Sequence, residues 1–211
     1  MFIGHAAVAL AAKPLAPRIN LGLALVAAYW VDLVWPVFLL TGIEQVRIDP
    51  GNTAFTPLDF VHYPWTHSLA AAIVWSVLFF LVTLNLGKRE ALLLGLLVFS
   101  HWLLDALSHR PDLPLWPGSE TMVGLGLWNS VPATMAVELS MFAIGVAIYA
   151  RSRGGSLAFW SLIGFLLSAY FGNAFGPPPP SAQAIAIVGL ISGPALGLWA
   201  WWADRHRGPL A

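Results

Sequence analysis

Long apolar runs alternate with short polar breaks along most of this chain. Six runs approach the roughly 20 residues that a helix needs to cross a bilayer. They cover residues 21–40, 68–86, 91–109, 131–150, 157–175 and 182–202. The breaks include LGKRE, RSRGGS and GPPPPS, the last of which stops a helix because proline fixes φ and removes a donor. The pattern predicts an all-α fold, a polytopic membrane helix bundle with six transmembrane helices in one integral membrane domain over residues 1–211.

An apolar segment of about half a span precedes the first long run. Residues 2–12 could lie flat on the membrane surface, or they could rise as a half-span helix from Lys13 to mid-membrane. A surface helix more usually shows a charged face, and this segment has none. We therefore favour the half-span helix, which at roughly 1.5 Å per residue brings His5 near the depth of Asp32.

The composition removes several classes of protein. Hydrophobic residues make up 58% of the chain and charged residues 9%, against roughly 25% charged residues in average soluble domains. Because its mean hydropathy is +0.75, we expect the chain to be embedded in the lipid bilayer, which is then its main partner. Its net charge is zero, so no nucleic acid partner is expected. The chain has no cysteine, which leaves metal binding to His, Asp and Glu.

The basic residues fall mostly on one side of the predicted bundle. If the six spans alternate in direction, eight of the ten Lys and Arg residues share the side where the first span begins, and this excess marks the cytoplasmic side. These are Lys13, Arg18, Lys88, Arg89, Arg151, Arg153, Arg205 and Arg207. This distribution of basic residues predicts a multi-pass protein of the bacterial inner membrane with a cytoplasmic C-terminus. It places the loops 41–66 and 110–130 on the periplasmic side.

Three carboxylates lie within the predicted spans without a Lys or Arg beside them: Asp32, Asp105 and Glu138. A charge at the centre of a bilayer costs roughly 2.5–3.5 kcal/mol on insertion scales. These acids must therefore be protonated, hydrated or neutralised by a group that the sequence does not encode. A divalent cation would neutralise them, and nearby histidines would help to hold it.

Histidines and acids converge at the outer ends of three predicted helices. In SHWLLDALSH, positions 101, 105 and 109 recur every four residues, which places their side chains on one face of a helix. The motif HYPWTHS precedes the second span. Asp32 lies roughly 12 Å from the outer end of the first span. The residues concerned are Asp32, His62, His67, His101, Asp105 and His109. Imidazole and carboxylate without thiolate favour Zn2+, with manganese or iron as alternatives.

These motifs resemble a known family. GH near the N-terminus, a buried Asp on the next helix, the THS that begins a span and SHWLLDALSH are similar to a bacterial family of membrane-bound metal-dependent hydrolases. The family is also described as LexA-binding, inner membrane-associated hydrolases. The resemblance covers roughly residues 1–138, and the order of His and Asp is in turn similar to zinc-dependent phospholipase C and P1-type nuclease. Those enzymes are helical and act on phosphodiesters through a trinuclear zinc cluster.

The resemblance implies a set of ligands. The early His of those enzymes matches His5, the following Asp matches Asp32, the next His matches His62 or His67, and an HxxxD motif matches His101 and Asp105. A second HxxxD is missing after His109, and Glu138 is the acid left to stand in for it. The resemblance therefore implies one or two divalent ions rather than three.

The leading hypothesis is a metal-dependent hydrolase acting on a phosphoester of a lipid or another amphiphile. Its metal ligands would be His5, Asp32, His67, His101 and Asp105. The catalytic candidates are His62 or His109, as a further ligand or as the acid–base partner of bound water, and Glu138, as an acceptor behind the ligands or a general base.

Two other classes of function stay open. An ion- or proton-coupled transporter would use intramembrane Asp, Glu and His residues as a relay, although the sequence shows no clear inverted repeat. A scaffold without enzymatic activity would use the same residues as hydrogen bonds between helices.

Overall fold

The computed structural model describes residues 1–206 of the 211-residue chain. Arg207, which the charge sorting places on the cytoplasmic side, lies outside the described residues. Within them the chain forms nine α-helices and two short antiparallel hairpins. The helices are α1 Ile3–Ala12, α2 Leu21–Ala28, α3 Trp30–Leu40, α4 Pro64–His67, α5 Leu69–Val82, α6 Lys88–Ser108, α7 Val131–Arg153, α8 Leu157–Phe175 and α9 Ala182–Arg205. The hairpins pair β1 Gln45–Ile48 with β2 Leu58–His62, and β3 Leu113–Pro114 with β4 Met122–Val123.

Four of the described helices, α6 to α9, are each long and apolar enough to cross a membrane. The α2–α3 pair passes the same test only when taken together, with a bend of 55° at the break, so the number of spans reaches up to five. Helix α5 has 14 residues, about 21 Å at 1.5 Å per residue, which is shorter than the roughly 30 Å hydrocarbon core. The chain is therefore a helical membrane protein, but six straight spans are not shown.

The first two predicted spans differ most from the structure. The run 21–40 is broken at Tyr29, which has φ −103° and ψ 12° between α2 and α3. The run 68–86 ends as an α-helix at Val82 and continues only as a 3-10 turn. Gly87, at φ +118°, then turns the chain into α6, which begins at Lys88 rather than at residue 91. Only a residue without Cβ adopts such a φ easily.

Helix α1 lies inside the bundle, in contact with α2, α6 and α7. Ile3, Ala6 and Ala9 are fully buried, as expected for a helix that is apolar on every side. At its N-terminus the amides of Phe2 and Gly4 donate to one oxygen of the Glu138 side chain on α7, at 2.9 and 3.1 Å. A carboxylate there satisfies free helix donors and complements the helix dipole. Residues 3–12 therefore form a core helix.

Both long loops contain short β-hairpins, which the sequence did not predict, in a chain whose described residues are mostly helical. Turn-forming residues around Gly51 close the first hairpin, in which Arg47 pairs with Asp59. Buried Asp59 accepts from Arg47 and from Arg110, both at 2.5 Å. This ion-pair network ties the two loops together over one end of the bundle.

Candidate metal centre

Three imidazoles and two carboxylates converge where α1, α3, α4 and α6 meet: His5, Asp32, His67, His101 and Asp105. Nε2 of His5 lies 3.2 Å from one Asp105 oxygen, and Nε2 of His101 lies 3.1 Å from the other. Nε2 of His67 lies 3.3 Å from Asp32 Oδ1, and Nε2 of His101 lies 3.6 Å from Asp32 Oδ2. We call these five residues the His/Asp cluster.

The cluster contains two overlapping groups of three residues whose ligand atoms lie within 4.8 Å of one another. One group is His5, His101 and Asp105, and the other is Asp32, His67 and His101. Asp32 is the member with the greatest access to solvent, since 37% of its side chain is exposed, whereas the other four are buried. The cluster is therefore closed on the side of the bundle core and open at Asp32.

Local helix geometry explains how α6 and α3 supply three of these residues. His101 and Asp105 are four residues apart on α6, so their side chains lie on one face. Asp32 lies in the first turn of α3, just after the break, where a helix N-terminus stabilises a negative charge. At the start of α3, beyond the 55° bend, Asp32 faces His101 on α6.

The hydrogen bond made by His101 fixes the position of its proton. Its Nδ1 lies 2.8 Å from the carbonyl oxygen of Ala28, the last residue of α2. Because a carbonyl oxygen only accepts, Nδ1 carries the hydrogen and the neutral ring presents the Nε2 lone pair to the two carboxylates. The same bond holds the end of α2 against α6.

His67 is oriented by a chain of hydrogen bonds. The Thr66 hydroxyl donates to Glu44 Oε2 at 2.7 Å and lies 2.6 Å from His67 Nδ1. Since its proton is given to Glu44, the hydroxyl accepts from Nδ1–H, and Nε2 of this ring also presents a lone pair to the cluster. Glu44 Oε1 accepts the amides of Trp65 and Thr66 at 2.7 and 2.9 Å, which fixes the start of α4.

His5 is fully buried and stacks on His101, with ring centroids 3.7 Å apart and an angle of 3° between the planes. Neither nitrogen of its ring makes a hydrogen bond within the described residues, although Nε2 faces Asp105. The Met1 amino group contacts Asp105 and donates to Ser108 Oγ at 3.0 Å. Asp32 has no Lys or Arg partner within residues 1–206.

His109 lies beside the cluster and lines the same cavity of about 210 Å³. Its Nδ1 lies 3.0 Å from Asp112 Oδ1, which also accepts the Tyr63 hydroxyl at 2.8 Å. Burial and the Asp112 carboxylate hold the pKa of Tyr63 well above its usual value, so the phenol keeps the proton that it donates. Asp112 thus orients His109 and leaves its Nε2 free to accept a proton.

The other two predicted catalytic residues lie apart from the five ligand atoms. His62 is exposed on β2, opposite Gln45, and lines a separate cavity with Tyr63 and Ser119. The Glu138 side chain accepts the amides at the start of α1, so it positions the helix that carries His5.

Sequence reasoning missed the residues that orient the cluster: Ala28, Glu44, Thr66, Tyr63 and Asp112. The spacing of His109 and Asp112, three residues apart after a helix end, was a signal that could have identified one of them. Glu44 lies 22 residues before Thr66, and no helical or strand period links the two.

Comparison with known protein families identifies a family that matches most of the chain. Residues 1–176 match the family model described as YdjM inner membrane protein. The matched part contains the whole His/Asp cluster and helices α1 to α8, and leaves α9 outside. No curated protein and no solved structure gives a significant match.

Proposed function

This chain belongs to the YdjM inner membrane protein family, and we propose that it is a metal-dependent hydrolase whose His/Asp cluster binds one or two divalent ions. The observation that carries the proposal is the direction of the Nε2 lone pairs of His67 and His101. Both face carboxylate oxygens at 3.1–3.9 Å. Acceptors that face acceptors in a buried site repel one another unless protons or a cation lie between them.

The spacing within the cluster fits a metal. Two ligands that are each about 2.1 Å from a tetrahedral zinc ion are about 3.4 Å apart. The distances from imidazole to carboxylate here run from 3.1 to 3.9 Å. Three nitrogens and two carboxylates, without sulfur, suit zinc best, with manganese or iron as alternatives. The bonds from Nδ1 of His67 and His101 are those that commonly hold metal-binding imidazoles in place.

The chemistry follows from the residues around the cluster. A bound zinc ion would lower the pKa of a coordinated water and polarise a phosphoryl oxygen. His109 lines the same cavity and, with Nδ1 held by Asp112, can take a proton at Nε2. His62 is not needed for this step, and the Glu138 side chain serves by fixing α1 rather than as a base.

The proposed substrate is a phosphoester of a lipid or another amphiphile. The cavity at the cluster is lined by Asp32 and Asp105 and by no Lys or Arg side chain within the described residues. The Met1 amino group contacts Asp105, and Asp32 has no such cationic partner among the described residues; a bound metal ion would offset its charge and reduce the repulsion of a phosphate group. Apolar residues around it, including Trp35, Phe60 and Trp128, suit a substrate with an apolar part.

We place the cluster in the outer half of the bilayer, facing the periplasm. The proposal follows from the charge sorting, which assigns Lys88, Arg89, Arg151 and Arg153 to the cytoplasmic side. In this arrangement the C-terminus is cytoplasmic, the bent α2–α3 pair forms one span and the short α5 forms a sixth. Single cysteines introduced at the two ends of a spanning helix, and labelled in intact cells, test this orientation.

The hydrolase proposal is tested by metal analysis and by activity on the same preparation. Wild-type protein purified in detergent should contain one or two zinc, manganese or iron ions per chain by elemental analysis. It should also release phosphate or headgroup from phospholipids in mixed micelles. The His101→Ala and Asp105→Ala variants should lose both, while His206→Ala, an exposed histidine at the end of α9, should lose neither. Wild-type protein without stoichiometric metal would overturn the proposal.

Ion- or proton-coupled transport is a second candidate, favoured by the broken α2–α3 pair. Discontinuous helices near intramembrane acids are typical of transporters, and Asp32 lies directly after this break. A pH-jump flux assay in liposomes separates the two functions. Flux that Asp105→Asn abolishes, in protein that holds no metal, would favour transport.

A further inference from the structure

A second, apolar cavity of about 320 Å³ lies beside the His/Asp cluster, between the α2–α3 pair on one side and α8 and α9 on the other. We call it the apolar groove. Its lining is almost entirely hydrocarbon, with Leu25, Val26, Leu166 and Leu196 among its walls. The volume falls at the lower end of the range for small-molecule sites, roughly 300–1,000 Å³.

The apolar groove adjoins the cavity at the cluster. Four residues line both: Met1, Phe2, Asp32 and Gly189. Asp32, a member of the cluster, thus lies where the polar and apolar cavities meet. A molecule that fills both would place a polar group beside the imidazoles and an apolar chain between the helices.

The apolar groove also opens toward the outside of the bundle. Two of its lining side chains, Phe165 on α8 and Val188 on α9, are 44% and 62% exposed. Both helices are long and apolar enough to span a membrane, so we expect lipid chains at this opening. Glycines on α9 form part of the wall, and a Cβ at Gly193 would meet Leu33.

We propose that the apolar groove holds one acyl chain of a bilayer lipid, whose headgroup then lies at the His/Asp cluster. This inference rests on the proposed hydrolase function and identifies its substrate class as a membrane phospholipid. Lipid chains are as apolar as the groove wall, so moving a chain from the bilayer into it gains little hydrophobic energy. The groove therefore acts by holding the ester in place, as substrate-positioning contacts do.

Photo-crosslinking tests the occupant directly. The wild-type protein is placed in vesicles of phosphatidylethanolamine and phosphatidylglycerol with a trace of phosphatidylglycerol carrying a diazirine in the middle of one acyl chain. After irradiation, peptide mass spectrometry measures the label on residues 25–33, the inner wall. Fully buried Leu94 sets the background. We expect label on the inner wall well above that background.

Two matched variants show whether the label depends on the groove. Ala169→Phe fills it, since Ala169 is part of the lining, and should reduce the label on residues 25–33 to the Leu94 background. Ala195→Phe adds the same ring at an exposed position outside the lining and should leave the label unchanged. Inner-wall label at background in the wild type, or label unaffected by Ala169→Phe, would overturn the inference.

The metal content of the same samples separates this inference from the hydrolase proposal. Stoichiometric metal with an unlabelled inner wall refutes the acyl-chain site and leaves the metal centre standing. A labelled inner wall in protein without metal supports the lipid site and removes the hydrolase.

Discussion

Replacing Thr66 by valine tests how the cluster is held, because it removes one hydroxyl and keeps the side-chain shape. The hydroxyl donates to Glu44 and lies 2.6 Å from His67 Nδ1. Without it, Nδ1–H has no acceptor at that position. We expect the metal-free Thr66→Val variant to move the proton to Nε2, from which Asp32 Oδ1, at 3.3 Å, can accept it.

The expected loss of zinc affinity follows from this change of tautomer. Metal binding in Thr66→Val must return the proton to Nδ1 and leave a buried N–H unpaired, which costs about 1–3 kcal/mol. Since about 1.4 kcal/mol corresponds to a factor of ten, zinc affinity should fall about 5- to 150-fold. Removal of partners behind metal-binding histidines typically costs about 10- to 100-fold, which agrees with this range.

A competition titration with a chromogenic zinc chelator measures the effect in detergent, and far-UV circular dichroism checks that helix content is retained. Thr83→Val is the matched control, because within residues 1–206 the Thr83 hydroxyl bonds only to helix carbonyls near the end of α5. Equal zinc affinity in wild type and Thr66→Val, or an equal loss in Thr83→Val, would refute the reasoning.

Three further changes probe the parts around the cluster. Asp112→Asn should slow hydrolysis about tenfold or more, because His109 loses its charged acceptor, while elemental analysis shows unchanged metal. Gly145→Val should lower the free energy of unfolding in mixed micelles by about 1–3 kcal/mol, because a Cβ there meets the α1 backbone. Gly164→Val is the control, because a Cβ at that position meets nothing within 4 Å. Glu138→Gln should weaken the cap of α1 and lower the free energy of unfolding by about 1 kcal/mol in the same assay. An unchanged unfolding transition would contradict the capping role of Glu138.

The sequence allowed three members of the cluster to be chosen because their signals are local. A spacing of four residues places His101 and Asp105 on one helical face, and the cost of an acid in an apolar run singles out Asp32 from its own segment. The long runs that became α6 to α9 were equally clear, since twenty apolar residues leave few alternatives to a spanning helix.

The break at Tyr29 could not be predicted from the run itself. Neither glycine nor proline stands at the break, and the proline of this run, Pro36, lies inside α3. The end of α2 is held by the contact of Ala28 with His101, 73 residues away. Contacts of this kind depend on tertiary packing and leave no mark on local hydropathy.

The role of Glu138 shows the same limit. An acid within a span suggested a catalytic role for Glu138. The sequence could not show that α7 approaches the N-terminus of α1. That approach depends on Gly145, which leaves room for the α1 backbone. The second hairpin was missed for a related reason, since strands as short as two residues carry no hydrophobic period.

X-ray absorption at the zinc edge tests the central claim most directly, because it reports the atoms bound to the metal. For protein purified with zinc, the proposal predicts a first shell of nitrogen and oxygen alone at about 2.0–2.2 Å, with the outer-shell scattering of imidazole rings. The His67→Ala variant should weaken the imidazole signal, His101→Ala should bind no zinc, and His206→Ala should leave the spectrum unchanged. Zinc that is absent from the wild-type protein, or whose spectrum is the same in all three variants, would contradict a metal centre at these residues.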